Sequence, residues 1–160
     1  MKPGWITEAE KYIGLKEVPG AGNNSTILKW WKIIKRGGIQ SDAVPWCAAF
    51  VGAMLETAGI ASSRYESAKS YLTWGAMITV PVYGCVVVFT RDGGGHVGFV
   101  VGVDEKGRLM VLGGNQGDTV SIAPFERSRV AGYRWPAGVN FILEALPIMN
   151  SAAASSANEK

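Results

Sequence analysis

Cys47 and His96 are the residues of this chain whose types and settings best suit nucleophilic chemistry, and His96 is its only histidine. Cys47 lies in Pro45-Trp46-Cys47-Ala48-Ala49-Phe50-Val51, where an irregular segment gives way to a stretch of helical period. Phe50, Val51, Met54, Leu55 and Ala58 recur at three- and four-residue spacing, and Gly59 closes the run. The spacing predicts a helix with Cys47 in its first turn. There the unpaired N–H groups and the positive end of the dipole stabilise a thiolate, favouring a pKa below the free value of about 8.5. The ordinary alternative is a small buried hydrophobe, a role that free cysteines often fill.

His96 follows a glycine run and opens Val97-Gly98-Phe99-Val100-Val101-Gly102-Val103, whose valine-rich character predicts a strand despite imperfect alternation. A lone histidine is commonly a surface group or a satisfied core group, but the glycines before it permit close backbone approach. A second strand is expected to end in Gly113-Gly114-Asn115-Gln116. If the two pair through the hairpin Asp104-Glu105-Lys106-Gly107-Arg108, Asn115 returns beside His96. An amide there accepts a hydrogen bond from one ring nitrogen and leaves the other for Cys47, as a Cys-His-Asn constellation requires. Asn115 is otherwise a turn residue beside two glycines.

These segments, in this order, resemble the NlpC/P60 and CHAP superfamily of papain-like cysteine peptidases and amidases, most closely a phage and prophage branch of small peptidoglycan hydrolases. The resemblance spans roughly residues 5 to 136 and includes Leu15-Lys16-Glu17-Val18-Pro19-Gly20, Asn23-Asn24, Asp42, Gly84-Cys85-Val86-Val87-Val88-Phe89 and Gly132-Tyr133-Arg134-Trp135-Pro136. It implies Cys47 as nucleophile, His96 as base and Asn115 as the residue orienting the imidazole. It also places Glu17 beside the active cleft, where it would pair with a substrate amine, a solvated turn carboxylate being the plainer reading. Cys85 departs from the pattern, because the family generally has an acidic residue there; two thiols are expected, since a disulfide would consume the nucleophile.

The Cys47 N–H is the first candidate for stabilising a tetrahedral oxyanion, with Asn23, Asn24 or a backbone group near Asp42 as candidates for the second donor. Asp42 is expected to cap the nucleophile helix or hold the loop before it. Trp46, Tyr65, Trp74 and Gln116 are candidates for the cleft rim, since aromatic planes and amides suit a sugar–peptide substrate. Tryptophan in a small domain otherwise supplies buried area.

The elements that must position these groups are legible in outline. Helices are expected over Trp5 to Ile13, from Ile27 to a stop at Gly37-Gly38 and over the Cys47 segment, with a short one over Ser67 to Trp74. Strands are expected at Cys85 to Phe89, Val97 to Val103, Arg108 to Leu112, Thr119 to Ile122 and Val130 to Arg134. Helices first and strands second imply an α+β fold, with N-terminal helices packed on a small antiparallel sheet, the papain-like arrangement of the resembled family. The 160 residues, 48% hydrophobic, suit one catalytic domain over 1–150 and a disordered tail over 151–160.

A net charge of +3 favours approach to an anionic polymer, with Lys29, Lys32, Lys35 and Arg36 as the main basic cluster. Nothing matches a phosphate loop, a zinc spacing or a nucleic-acid motif, so no cofactor, metal or nucleic-acid partner is expected. No apolar run approaches the length of a membrane span and no secretory signal is evident. The expectation is a monomer made in a host cytoplasm that reaches the periplasm or wall through a phage pore or another delivery route. Three functions follow: a peptidoglycan endopeptidase of the endolysin kind or an N-acetylmuramoyl-L-alanine amidase; a non-catalytic wall-binding module; and an intracellular cysteine hydrolase acting on a modified host protein.

Overall fold

Three helices precede the sheet: α1 (Gly4–Glu10), α2 (Ser25–Ile33) and α3 (Cys47–Thr57). The protein is described by a computed structural model over residues 2–19, 22–91, 94–141 and 144–151. α2 starts at Asn24, whose side-chain oxygen accepts the N–H groups of Thr26 and Ile27, and it buries Ile27, Trp30 and Trp31 while Lys29 and Lys32 stay exposed. Every residue of α3 from Cys47 through Leu55 is buried. A helix apolar on all sides belongs in the middle of a domain, and α3 packs against α1, α2 and the sheet.

The first helix is shorter than the periodicity suggests, because the chain leaves it at Lys11 and turns through Gly14 at a φ of 98°. Gly14 N–H then donates to Val120 O, and Lys16 forms a bridge with Thr119. The short helix expected near Ser67 is a 3-10 segment over Ala68–Thr73, with the Ser67 hydroxyl accepting from Lys69 N–H.

The strands are β1 (Ala76–Ile78), β2 (Val86–Arg91), β3 (Gly94–Asp104), β4 (Leu109–Gly113), β5 (Ser121–Phe125), β6 (Val130–Trp135) and β7 (Ile148–Met149). Their order is β1-β6-β2-β3-β4-β5, antiparallel throughout, with β7 joining the end of β3 in parallel. The α+β architecture is therefore as expected, and so is the hairpin pairing β3 with β4. β1 and β7 were not foreseen; three and two residues are too few for an alternation to register. Val86 through Phe89 are all buried, as are His96 through Val101. Strands covered on both faces lose their polar alternation, which explains the near-continuous valine runs. The expected disordered tail lies outside the described residues apart from Ser151.

The end of α3 is tied to the following loop through Glu56, which accepts from the Ser62 N–H and hydroxyl and from the Arg64 guanidinium. The Arg64 hydrogen bond, aided by the Ser62 contacts and opposed by partial burial, lowers the Glu56 pKa to about 2. A carboxyl depressed in the folded state stabilises the fold above its unfolded pKa and loses that contribution as pH falls through the folded value. Urea unfolding is expected to show stability dropping between about pH 4.5 and about pH 2, and Glu56→Gln should flatten that limb relative to wild type.

Candidate active site

The start of α3 carries Cys47 at its first helical position, only 4% exposed. Trp46 is the N-cap residue and supplies no side-chain cap, so the first-turn N–H groups are not taken up by a capping side chain. The helix direction is set by its contacts. Phe50, one turn in, meets Phe99 of β3 with ring centroids 6.4 Å apart, while Ala58 at the far end lies by Gly4 of α1. α1 in turn reaches Gly84, whose carbonyl accepts from Trp5 Nε1 and whose N–H donates to Val100 O. The C-terminal end of α3 thus lies towards the Val100 end of β3, and Cys47 towards the end that bears His96.

Two glycines make this approach possible. A Cβ at Gly114 would sit 2.7 Å from Phe50 Cβ and 2.7 Å from the Trp46 ring, on residues one before and three after Cys47. A Cβ at Gly113 would lie 2.3 Å from Gln116 Oε1 and 3.5 Å from His96 Nε2. Any side chain at either position would drive apart the helix start and the imidazole's support.

His96 is fully buried, with its ring stacked on Phe125 at 5.3 Å and 11° and on Phe89 at 6.3 Å. Its Nε2 lies 2.9 Å from Gln116 Oε1. The Gln116 amide cannot be turned over, because its Nε2 donates to two carbonyls, Val111 O at 3.1 Å and Ser121 O at 2.9 Å. The oxygen facing His96 only accepts, so the imidazole must donate from Nε2. In the neutral ring this leaves the lone pair on Nδ1.

The structure therefore corrects the expectation for Asn115: Gln116, expected at the cleft rim, meets the imidazole. Extending the pairing of Phe99 with Leu112 would set Asn115 opposite His96, but β3–β4 pairing stops at Leu112 and β4 itself ends at Gly113. Asn115 takes a φ of 59°, which turns the chain so that the next side chain folds back over the sheet. The Asn115 amide is fully buried and neither of its polar atoms makes a hydrogen bond. The two-residue turn after it, with positive φ at Gly117 and Asp118 and Gln116 N–H donating to Thr119 O, fixes the Gln116 backbone.

Asp42 is buried and holds the loop before α3: its Oδ2 accepts from Val18 N–H at 2.7 Å and Asn24 N–H at 2.8 Å. It does not cap α3. Asn23 Oδ1 accepts from Asp42 N–H, and the Asn24 amide bonds Thr26 N–H, Ile27 N–H and Lys16 O, so these asparagines build the clamp. Trp46 is wholly buried against Trp30 and is not a rim residue; its Nε1 donates to Glu17 Oε1 at 3.1 Å. This bond keeps Glu17, half-buried, beside the Cys47 turn. Tyr65 and Trp74 share a separate cavity with Ser62, Ser63, Ser70 and Thr73.

Neither cysteine is in a disulfide. Burial pushes the Cys85 thiol up to about 12. Cys85 precedes β2 with its carbonyl bound to Val100 N–H, whereas His96 pairs with Phe89, so the two sit at opposite ends of the β2–β3 ladder. Among the described residues, no group of three or more His, Cys, Asp or Glu is placed to hold a metal ion.

Residues 39–115 match the CHAP domain family, a span that contains Cys47 and His96 and ends at Asn115. The match supports the CHAP and NlpC/P60 superfamily, and the mixed helices and antiparallel sheet are consistent with its α+β papain-like fold. CHAP domains are generally cysteine peptidases or amidases that act on peptidoglycan, so the match suggests a peptidoglycan hydrolase. No curated protein matches the sequence.

With a single histidine, the ring nitrogens can be read directly by long-range proton–nitrogen NMR. The neutral imidazole is expected as the Nε2–H tautomer. Gln116→Leu should erase that preference and cost about 1–3 kcal/mol in unfolding free energy, while Asn115→Ala should leave the tautomer unchanged.

Proposed function

We propose that this protein hydrolyses an amide bond in or next to the peptidoglycan stem peptide through a Cys47 thioester, as an endopeptidase of the phage endolysin kind. The observation that carries the reading is the Gln116 amide, locked by two backbone carbonyls, holding His96 with its Nδ1 lone pair at the end of the sheet nearest the Cys47 turn. A nucleophile at a helix start, a base on a strand and an amide behind the base are the parts of a cysteine hydrolase.

In the proposed reaction, His96 Nδ1 accepts the Cys47 proton and the thiolate attacks the peptide carbonyl. The first-turn N–H groups of α3, starting with that of Cys47, face the charge that develops on the carbonyl oxygen. The imidazolium then gives its proton to the leaving amine, leaving an acyl thioester. Water attacks the thioester as His96 takes its proton, releasing a carboxylate and restoring the thiol. Gln116 acts by fixing the ring, in the place expected of Asn115. Glu17, tethered to Trp46, is the candidate for pairing with a substrate ammonium. No helix among the described residues is long and apolar enough to cross a membrane; passage to the wall through a phage pore fits this reading.

Purified Gram-negative peptidoglycan incubated under reducing conditions tests it. Mass spectrometry should show soluble muropeptides with new stem-peptide termini for wild type and none for Cys47→Ala. His96→Ala should slow release by about 10²–10⁴-fold. Intact wall with folded wild-type protein would contradict the reading for that substrate, and whole stem peptides with a free L-alanine amine, leaving glycan with unsubstituted lactoyl carboxylates, would assign the amidase reaction.

A further inference from the structure

Trp74 stands between two cavities that the catalytic reading leaves unused. One, of about 400 Å³, is lined by Ser62, Ser63, Tyr65, Ser70 and Thr73 together with the indole. The other, of about 330 Å³, lies on its other side against residues 59–61, Gly75, Ala137 and Val139. Both have the volume of small-molecule sites, and neither is lined by a charged side chain.

The aromatic groups are fixed before any ligand arrives. Trp74 Nε1 donates to Ala61 O at 3.0 Å and its ring meets the edge of buried Tyr71 at 5.3 Å. Tyr65, 48% exposed, lies under the Arg36 guanidinium at 4.9 Å. Rings held this way lose little freedom on binding. The hydroxyls are equally specific. Ser70 Oγ donates to Ser67 O at 2.6 Å, so in its 2.7 Å contact with Ser63 Oγ the Ser63 hydroxyl is the donor. Thr73 Oγ1 donates to Ser70 O. Thr73 and Ser63, the latter also bonded to buried Tyr71, have their protons committed and each keep a lone pair for an incoming donor.

We propose that this groove is a second binding site, for a neutral N-acetylhexosamine glycan, with Trp74 and Tyr65 as stacking platforms and Ser63 and Thr73 as acceptors for sugar hydroxyl or acetamido protons. A cavity lined by aromatic rings and hydroxyl acceptors, with the Arg36 guanidinium set on the Tyr65 ring, suits a neutral sugar better than a cation or a cationic peptide. The groove lies past the C-terminal end of α3, roughly 15 Å along the helix from Cys47 at 1.5 Å per residue. The natural ligand, the glycan strand of the wall, rests on the peptidoglycan reading above: the strand would be gripped here while its stem peptide reaches the thiol.

The test uses Cys47→Ala protein and the tetramer of N-acetylglucosamine, which carries no stem peptide, so its binding does not depend on whether the protein cleaves walls. In a titration followed by proton–nitrogen NMR, the Trp74 indole N–H and the Ser63 amide should shift saturably. Adding Tyr65→Ala, an exposed truncation, should weaken binding about tenfold, and Ser63→Val should weaken it without removing a ring. Absence of a saturable shift at Trp74, or equal affinity in the Tyr65→Ala protein, overturns the proposal. So does a free stem peptide shifting these resonances where the oligosaccharide does not. Binding by a protein that leaves walls intact would sink the hydrolase reading alone.

Discussion

The candidate site depends on the close approach of α3 to the end of β4 at Gly113 and Gly114. One glycine lets Trp46 and Phe50 press against the strand, and the other leaves room for Gln116 to bond His96. The two are consecutive, so a single short segment positions the start of α3 and the support of the imidazole. This is a packing constraint with a chemical consequence: the helix start and the imidazole are held by rigid elements, and little reorganisation is left for the moment of reaction.

Polar groups around the site divide into those consumed by structure and those left for chemistry. The Asp42 clamp uses Asn23, Asn24 and the Val18 N–H to fix the loop that enters α3, at the cost of burying a carboxylate that needs several donors. Gln116 spends its amide protons on backbone carbonyls and offers its oxygen to His96. The aromatic stack of Phe89, His96 and Phe125, with Arg129 over the two phenylalanines, fixes the ring plane from behind. Cys85, despite being a thiol, sits in apolar surroundings that keep it protonated, whereas Cys47 sits at a helix start.

Much of this was legible in the sequence because strong local signals carried it. The 3.6-residue period after Cys47 and the stop at Gly59 located α3, and the charged hairpin after Val103 paired β3 with β4. What escaped was set by tertiary geometry. Asn115 and Gln116 both carry amides, and only the end of β4 at Gly113 with the positive φ of Asn115 decides which one reaches His96. Trp46 read as a rim aromatic because its type suits sugar contact, yet its position as the N-cap of a buried helix forces it inward. Tyr65 and Trp74 lie nine residues apart in an irregular stretch, so no periodicity revealed that they share a cavity.

The central claim is that His96 acts on Cys47. Alkylation by iodoacetamide at neutral pH, followed by intact mass and peptide mapping, tests it most directly. The account predicts a single rapid adduct at Cys47, slowed strongly in His96→Ala and measurably in Gln116→Leu, with Cys85 unmodified in the folded protein. A Cys47 adduct that forms at the same rate in wild type and His96→Ala would contradict it.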